Sequence, residues 1–233
     1  MIRPSFAALC LLLGTLALAG PALADTTIRL DQQAQKVVPR DRLQADLRVE
    51  ASGPDSRSVQ DEVNRRMATA LAKARKNSAL TVQSGGYGVY REQPAKGAEI
   101  WHANQGITLV SKDFDSVLKL SGELQNDGLT LSGLRFFLAP ETLRAAQSEL
   151  TAQALSGLRD RATEIATDLG MSVTQYKEVT VGNATEGFDN RRPMMMAKAA
   201  MAPAIVTPPD AEAGDSTITL NVQAEVVLTD KGK

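Results

Sequence analysis

Four of the seven methionines fall within eight positions of the stretch RRPMMMAKAAM, at Met194, Met195, Met196 and Met201. Thioether sulfur is a soft ligand that selects Cu(I), so these side chains form a candidate copper site. Sulfur without His or Cys beside it binds weakly, however, and flexible methionines also suit contacts with a partner and reversible oxidation to the sulfoxide. We therefore predict a mobile interaction loop, with an oxidant-sensitive loop and a Cu(I) site as alternatives. No other cofactor is predicted.

The other residues able to do chemistry match no catalytic motif. His102 is the only histidine and has no G-x-S-x-G or H-E-x-x-H pattern beside it, so it is predicted to be a surface strand residue. The glycines of 85–88 precede Val-Tyr rather than a helix, which favours a strand bulge over a phosphate loop. The chain is therefore predicted not to be an enzyme. A catalytic carboxylate pair is the alternative that the sequence leaves open.

Three aromatic residues accompany His102 on one predicted hairpin: Tyr87, Tyr90 and Trp101. They could form a platform on which a ligand stacks. Cross-strand packing between aromatic side chains is the more ordinary role of such residues. We therefore expect the three to stabilise the hairpin.

The first 24 residues have the three parts of a secretory signal peptide. Arg3 supplies the positive charge, an apolar run of about 14 residues follows at 6–19, and Ala22-Leu23-Ala24 forms a cleavage site before Asp25. The run is shorter than the roughly 20 residues that span a bilayer as a helix. We expect residues 1–24 to be removed, leaving a mature domain of 25–233 in the periplasm, with outer-membrane association left open and no transmembrane segment.

Cleavage would also remove the only cysteine, Cys10, so the mature chain would have no disulfide and would depend on its hydrophobic core for stability. Lys plus Arg falls from 26 to 25 with the loss of Arg3, while Asp plus Glu stays at 27, giving a net charge of 25 − 27 = −2. A nucleic-acid-binding protein would carry a concentrated basic surface. The near-neutral balance therefore argues against a nucleic-acid partner.

Hydrophobic periodicity predicts an α+β fold. Helical spacing covers about 56–76, 113–128 and 140–170. Ser56 or Ser58 is predicted to cap the first helix and Asp113 the second, and the third is opened by Pro140 and closed by Gly170. Alternating spacing predicts strands, whose solvated face implies antiparallel sheets. The expected architecture is mostly antiparallel sheets covered on one face by about three helices, with a flexible Met/Pro-rich loop at 183–214 before the last strand. The predicted strands are 26–30, 41–51, 80–90, 100–111, 129–139, 172–182 and 216–228.

Residues 99–173 resemble the core of the SIMPL-domain family of exported bacterial proteins. The resemblance rests on the strand with Asn104, Ile107 and Leu109, on the helix AAQSELTAQALSGLRDRATEIATDLGM, and on the Pro/Met-rich insertion 191–209 before a final strand. It extends over about residues 26–228. One departure is Ile100-Trp101, where the family often has Gly-Tyr.

The resemblance implies an α+β fold, a location in the cell envelope, and assembly into homo-oligomers or with envelope partners. Family members of the periplasmic and outer-membrane immunogen type are associated with stress defence and have no established enzymatic activity. The expected role is therefore structural or protective, including against oxidative stress. A periplasmic protein that binds Cu(I) or responds to oxidants through its methionines is the alternative.

Overall fold

A computed structural model describes residues 25–188 and 211–231. The predicted signal peptide and the four clustered methionines lie outside these ranges. The described elements, in chain order, are β1 (Thr26–Pro39), β2 (Arg42–Gly53), α1 (Ser56–Ala74), β3 (Thr81–Glu92), β4 (Ile100–Ser111), α2 (Phe114–Asn126), β5 (Thr130–Phe137), α3 (Pro140–Asp168), β6 (Met171–Val181), β7 (Thr185–Phe188) and β8 (Asp215–Asp230).

The strands form two antiparallel sheets, which confirms the predicted α+β class. The first sheet has the order β1-β8-β6, and β7 also pairs with β8. The second sheet has the order β3-β4-β2-β5. Helix α3 packs on the first sheet, and α1 and α2 pack on the second. Each sheet has its own hydrophobic core on its helix-covered face.

The core of the first sheet depends on a regular stripe along α3. Buried residues recur every fourth position, with alanine and leucine alternating from Ala146 to Ala162, so that one face of the helix lies close against the strands. The alanines allow this close approach and the leucines fill the space between helix and sheet. The buried residues of the stripe are Ala146, Leu150, Ala154, Leu158, Ala162 and Ala166.

The two helices on the second sheet begin at aspartate caps. The Asp113 carboxylate accepts a hydrogen bond from the Ser116 N–H at 3.2 Å, as the sequence predicted. On α1 the cap is Asp55, which accepts from the Ser58 N–H at 2.8 Å. The prediction that Ser56 or Ser58 caps this helix is therefore wrong. Carboxylates at these positions satisfy N–H groups that the helix itself leaves unpaired.

Asp41 joins the two halves of the molecule, where the chain passes from β1 to β2. Its backbone N–H donates to the Phe137 carbonyl at 3.2 Å. Its carboxylate accepts from the Ala139 N–H at 2.7 Å and from the Thr142 hydroxyl. Ala139 is the N-cap residue of α3 and has no side chain able to cap. Asp41 therefore caps the N-terminus of α3, the helix that packs on the first sheet, although the two are far apart in the sequence.

Asp41 should make stability depend on pH in the acidic range. Partial burial raises the pKa of Asp41, but hydrogen bonds from Thr142 and Ala139 and the nearby Arg42 guanidinium outweigh it and hold the pKa below its usual value. A lowered folded-state pKa stabilises the protein above the unfolded-state pKa of about 3.9, and this contribution disappears as the pH falls through the folded-state value.

We expect Asp41→Asn to lower the free energy of unfolding by about 1 kcal/mol near neutral pH, because hydrogen bonds to a charged acceptor stabilise more than those to a neutral one. At the acidic end of the pH range, the wild type and the variant should have the same free energy of unfolding. Urea unfolding at a series of pH values measures this difference. Asp61→Asn, at an exposed position of α1, is the control. A constant difference across the whole pH range would contradict the role given to the charge.

Two buried serines should respond in opposite ways to replacement by alanine. The Ser111 hydroxyl donates to the Ala79 carbonyl at 2.8 Å and accepts from the Asp113 N–H at 3.0 Å. The Ser121 hydroxyl, fully buried in α2, has no hydrogen-bond partner among the described residues. An unpaired buried hydroxyl costs free energy, whereas removal of a paired one leaves its partners unsatisfied.

We expect Ser121→Ala to raise the free energy of unfolding by about 1 kcal/mol and Ser111→Ala to lower it by about 1–2 kcal/mol. Urea titration of both variants beside the wild type gives the two signs. If both substitutions destabilise to the same extent, the Ser121 hydroxyl has a partner and the assignment fails.

Two strands differ from the sequence predictions. Strand β1 continues to Pro39 rather than ending near Leu30, although Gln32 and Lys36 occupy core-facing positions. Gln32 packs against Gly157, where an added Cβ would lie 3.2 Å from it, and the Lys36 ammonium pairs with Glu149. Strand β7 occupies 185–188, at the start of the segment predicted as a loop, because these residues pair with 216–219 of β8.

Candidate functional site

The glycines of 85–88 lie within β3, as predicted for a bulged strand. The pairing of β3 with β4 shifts between Ser84 and Tyr87, so Gly85 and Gly86 form the irregularity. A Cβ on Gly85 would lie 3.2 Å from the Cα of Gly106 on β4. The glycine therefore allows two backbones to approach closely. The segment runs on as a strand and does not open a helix, so it lacks the geometry of a phosphate loop.

The β3–β4 hairpin brings together three side chains able to do chemistry. Tyr90 lies directly opposite His102 in the register of the hairpin, and Glu92 is two residues further along β3. The Tyr90 and His102 rings are stacked, with centroids 4.9 Å apart and planes 13° from parallel. The His102 Nε2 and Glu92 Oε2 atoms are 2.9 Å apart. We call these three residues the hairpin cluster.

The hairpin cluster lies on the face of the second sheet opposite the helices. Ala103, the next residue along β4, is buried in the core, and adjacent strand residues point to opposite faces. The His102 side chain is 25% exposed and the Glu92 side chain 59% exposed. The prediction of a surface strand histidine is therefore confirmed. Its stacked, hydrogen-bonded surroundings could not be seen in the sequence.

The other two hairpin aromatics do not join Tyr90. Tyr87 pairs with Gln105, and Trp101 shares the face of Ala103 and packs against the second core. No ring contact among Tyr87, Tyr90 and Trp101 occurs within the described part of the chain. The predicted cross-strand aromatic packing is therefore found for Tyr90, which stacks on His102, and not among the three aromatics themselves. Tyr90 lies on the outer face, whereas Tyr87 and Trp101 share the other face but lie four residues apart along the strands.

Ser52 raises the question of a nucleophilic site, because it lies opposite His102 on β2. A serine nucleophile needs a base in hydrogen-bond contact to take its proton. The described residues include no hydrogen bond between Ser52 and His102, and Nε2 of the imidazole faces Glu92 instead. Ser52 borders a shallow hollow of about 610 Å³ formed with 94–100 of the hairpin turn.

A second candidate surface is the free edge of β1. The strand pairs with β8 over 14 residues without a register shift, and no described strand pairs with its other edge. The remaining edge strands are less regular or shorter: β3 and β6 contain register shifts, and β5 has eight residues. An extended, regular free edge presents unpaired N–H and C=O groups that can pair with another chain.

Charged side chains often protect such an edge from pairing. Two of those on β1 form ion pairs within this chain. The Lys36 ammonium pairs with Glu149 of α3, and the Arg29 guanidinium pairs with Glu225 of β8 at 3.3 Å. Between them, the solvent-facing side of the strand carries Asp31, Gln33 and Gln35, all exposed. In this part of the edge, only the short stretch from Gln32 to Gln35 is therefore uncharged.

Two properties of residues 25–188 and 211–231 bear on membrane and metal binding. No helix in these ranges is long and apolar enough to cross a bilayer. They contain no group of three or more His, Cys, Asp or Glu side chains arranged to hold a metal ion. The methionines predicted as a candidate Cu(I) site lie outside them.

Comparison with known families gives one result. The family model described as SIMPL, protein of unknown function (DUF541), matches residues 28–226. This range begins in β1 and ends within β8, so it includes both sheets and all three helices described above. A comparison with curated proteins found no match.

Proposed function

The chain belongs to the SIMPL family, and on this premise we propose that it is an exported, non-enzymatic protein of the cell envelope that assembles with copies of itself through its sheet edges. Its role is structural or stress-protective, oxidative stress included. Export is supported by the signal-peptide pattern of residues 1–24. Intact-mass measurement of the secreted protein tests export, since the mature chain should begin at Asp25.

The observation that carries the assembly proposal is the regular free edge of β1, whose stretch from Gln32 to Gln35 is uncharged. Antiparallel pairing of β1 with β1 of a second copy would join the two first sheets into one and satisfy the backbone groups of both edges. Such a contact is related by a two-fold axis, the commonest symmetry among soluble oligomers. Near the middle of the edge the outer face is polar, with Gln33 and Asn221 opposite each other in the register.

The test places charge on this edge. In the double variant Gln33→Lys, Gln35→Lys, a paired β1 edge would bring four ammonium groups close to the two-fold axis. We expect the assembly to dissociate at low ionic strength and to recover in part with added salt, because salt screens exposed charges. Multi-angle light scattering measures the mass in both conditions.

A matched control uses Asn64→Lys, at an exposed position of α1, the helix that packs on the second sheet. This variant should keep the wild-type mass. If the double variant also keeps the wild-type mass at low salt, assembly does not use the β1 edge.

The second candidate function is periplasmic Cu(I) binding or oxidant response through the clustered methionines. The observation in its favour is the sequence itself, four thioethers within eight positions. Competition with a Cu(I) chelator tests it: a variant with leucine at these four positions should lose its Cu(I). Unchanged binding would end this candidate.

A further inference from the structure

We propose that His102 and Glu92 form an open binding site for Cu²⁺ on the outer face of the second sheet. The site is separate from the clustered methionines, which would select Cu(I), and it does not depend on assembly through β1. The proposal rests on the spacing of two ligand atoms, on the support of the imidazole ring, and on the access that solvent has to the pair.

The spacing of the two ligand atoms suits a tetragonal ion. Two ligands about 2.0 Å from a metal and at a right angle to each other are about 2.8 Å apart, whereas tetrahedral ligands are separated by about 3.3 Å. The His102 Nε2 and Glu92 Oε2 atoms are 2.9 Å apart. Cu²⁺ prefers square-planar or tetragonal sites with nitrogen and oxygen ligands, and structural Zn²⁺ prefers tetrahedral ones. The pair is therefore spaced for Cu²⁺.

Tyr90 holds the imidazole in place. Its ring stacks on that of His102, with a centroid distance of 4.9 Å, and both residues are fixed by the pairing of β3 with β4. Supporting contacts of this kind orient a metal-binding histidine before the ion arrives. Little side-chain movement is needed when an ion replaces the hydrogen bond between Nε2 and the carboxylate.

The ion can reach the pair from solvent. The Glu92 side chain is 59% exposed, so solvent reaches its carboxylate directly. Within the described ranges no third His, Cys, Asp or Glu completes the site, so water would fill the remaining coordination positions. A neutral His102 that binds through Nε2 carries its proton on Nδ1.

A site with one imidazole and one carboxylate discriminates between metals mainly by intrinsic affinity. In the Irving–Williams order Cu²⁺ binds nitrogen and oxygen ligands more tightly than Ni²⁺ or Zn²⁺. We therefore expect Cu²⁺ to bind and Zn²⁺ to bind at least tenfold more weakly.

The experiment titrates the mature protein with Cu²⁺ in air, without reductant, by calorimetry and electron paramagnetic resonance. Because the chain has one histidine, the wild-type spectrum should show coupling to a single imidazole nitrogen. His102→Gln should abolish this coupling and the one-to-one binding. Glu92→Gln should weaken binding about tenfold or more while the nitrogen coupling stays. Glu99→Gln, on the same hairpin in a pair with Arg91, should bind as the wild type does.

Two results would overturn the proposal. Equal Cu²⁺ affinity in the wild type and in His102→Gln would place the ion elsewhere, for example on the terminal amino group. Equal affinity in the wild type and in Glu92→Gln would show that the carboxylate is not a ligand. Circular dichroism melting curves establish that each variant is folded, and the two substitutions, made separately, allow either ligand to be tested alone.

Discussion

Leu150→Ala is expected to lower the free energy of unfolding by about 2–5 kcal/mol, toward the upper end of that range. Leu150 is fully buried in the middle of α3, against the first sheet. Its neighbours one turn away on the same stripe, Ala146 and Ala154, are small. They cannot extend into the space left by the leucine, so the substitution leaves a cavity rather than a rearranged core.

Urea unfolding of Leu150→Ala measures this cost. The matched control is Leu169→Ala at the C-terminal end of the same helix, where the leucine is 56% exposed. We expect the control to change the free energy of unfolding by no more than about 0.5 kcal/mol. Equal effects at the two positions would mean that α3 does not bury the stripe described here.

Ile107→Ala is expected to cost a similar amount, about 2–5 kcal/mol, in the other core. Ile107 is 1% exposed on β4, an interior strand of the second sheet. The control lies on the same strand, since Ile100 is 38% exposed at its start. Ile100→Ala should therefore have a small effect on stability.

The single tryptophan provides the measurement. Trp101 packs against the second core, so its fluorescence reports unfolding of the second sheet, while far-ultraviolet circular dichroism reports both sheets. Ile107→Ala should shift the fluorescence transition to lower urea, and Ile100→Ala should leave it nearly unchanged. A fluorescence transition that Ile107→Ala does not shift would contradict the burial of Ile107 in the second core.

The elements governed by local periodicity could be predicted from the sequence. The stripe of α3, with Pro140 at its start and Gly170 after its end, gave the longest helix, and Gly170 has the positive φ of 70° that favours glycine there. The alternation of apolar and polar residues likewise predicted the strands β2, β4 and β8. The resemblance to the SIMPL family is confirmed by the family match to residues 28–226.

Features that depend on distant contacts could not be predicted in this way. The polar Gln32 and Lys36 interrupt the apolar pattern of β1, and only Gly157 and Glu149, more than a hundred residues away, make their positions tolerable. Likewise, Ala139 has no capping side chain, and Asp41 replaces it from across the molecule. A local sequence pattern does not show such contacts between distant residues.

The hairpin cluster shows the same limit at the candidate site. The sequence predicts the hairpin on which His102 lies, but the contact of His102 with Glu92 depends on the register between its strands. A slip of one residue would turn one of the side chains to the opposite face. The bulge at Gly85 and Gly86 changes that register along β3, and a sequence pattern does not specify the shift.

The most direct test of the proposed function is the mass of the mature protein in solution over a wide range of concentration. Sedimentation equilibrium of the chain beginning at Asp25 should give a mass of two or more subunits, and this mass should persist on dilution. A single-subunit mass at every concentration would contradict self-assembly and with it the function proposed for the β1 edge.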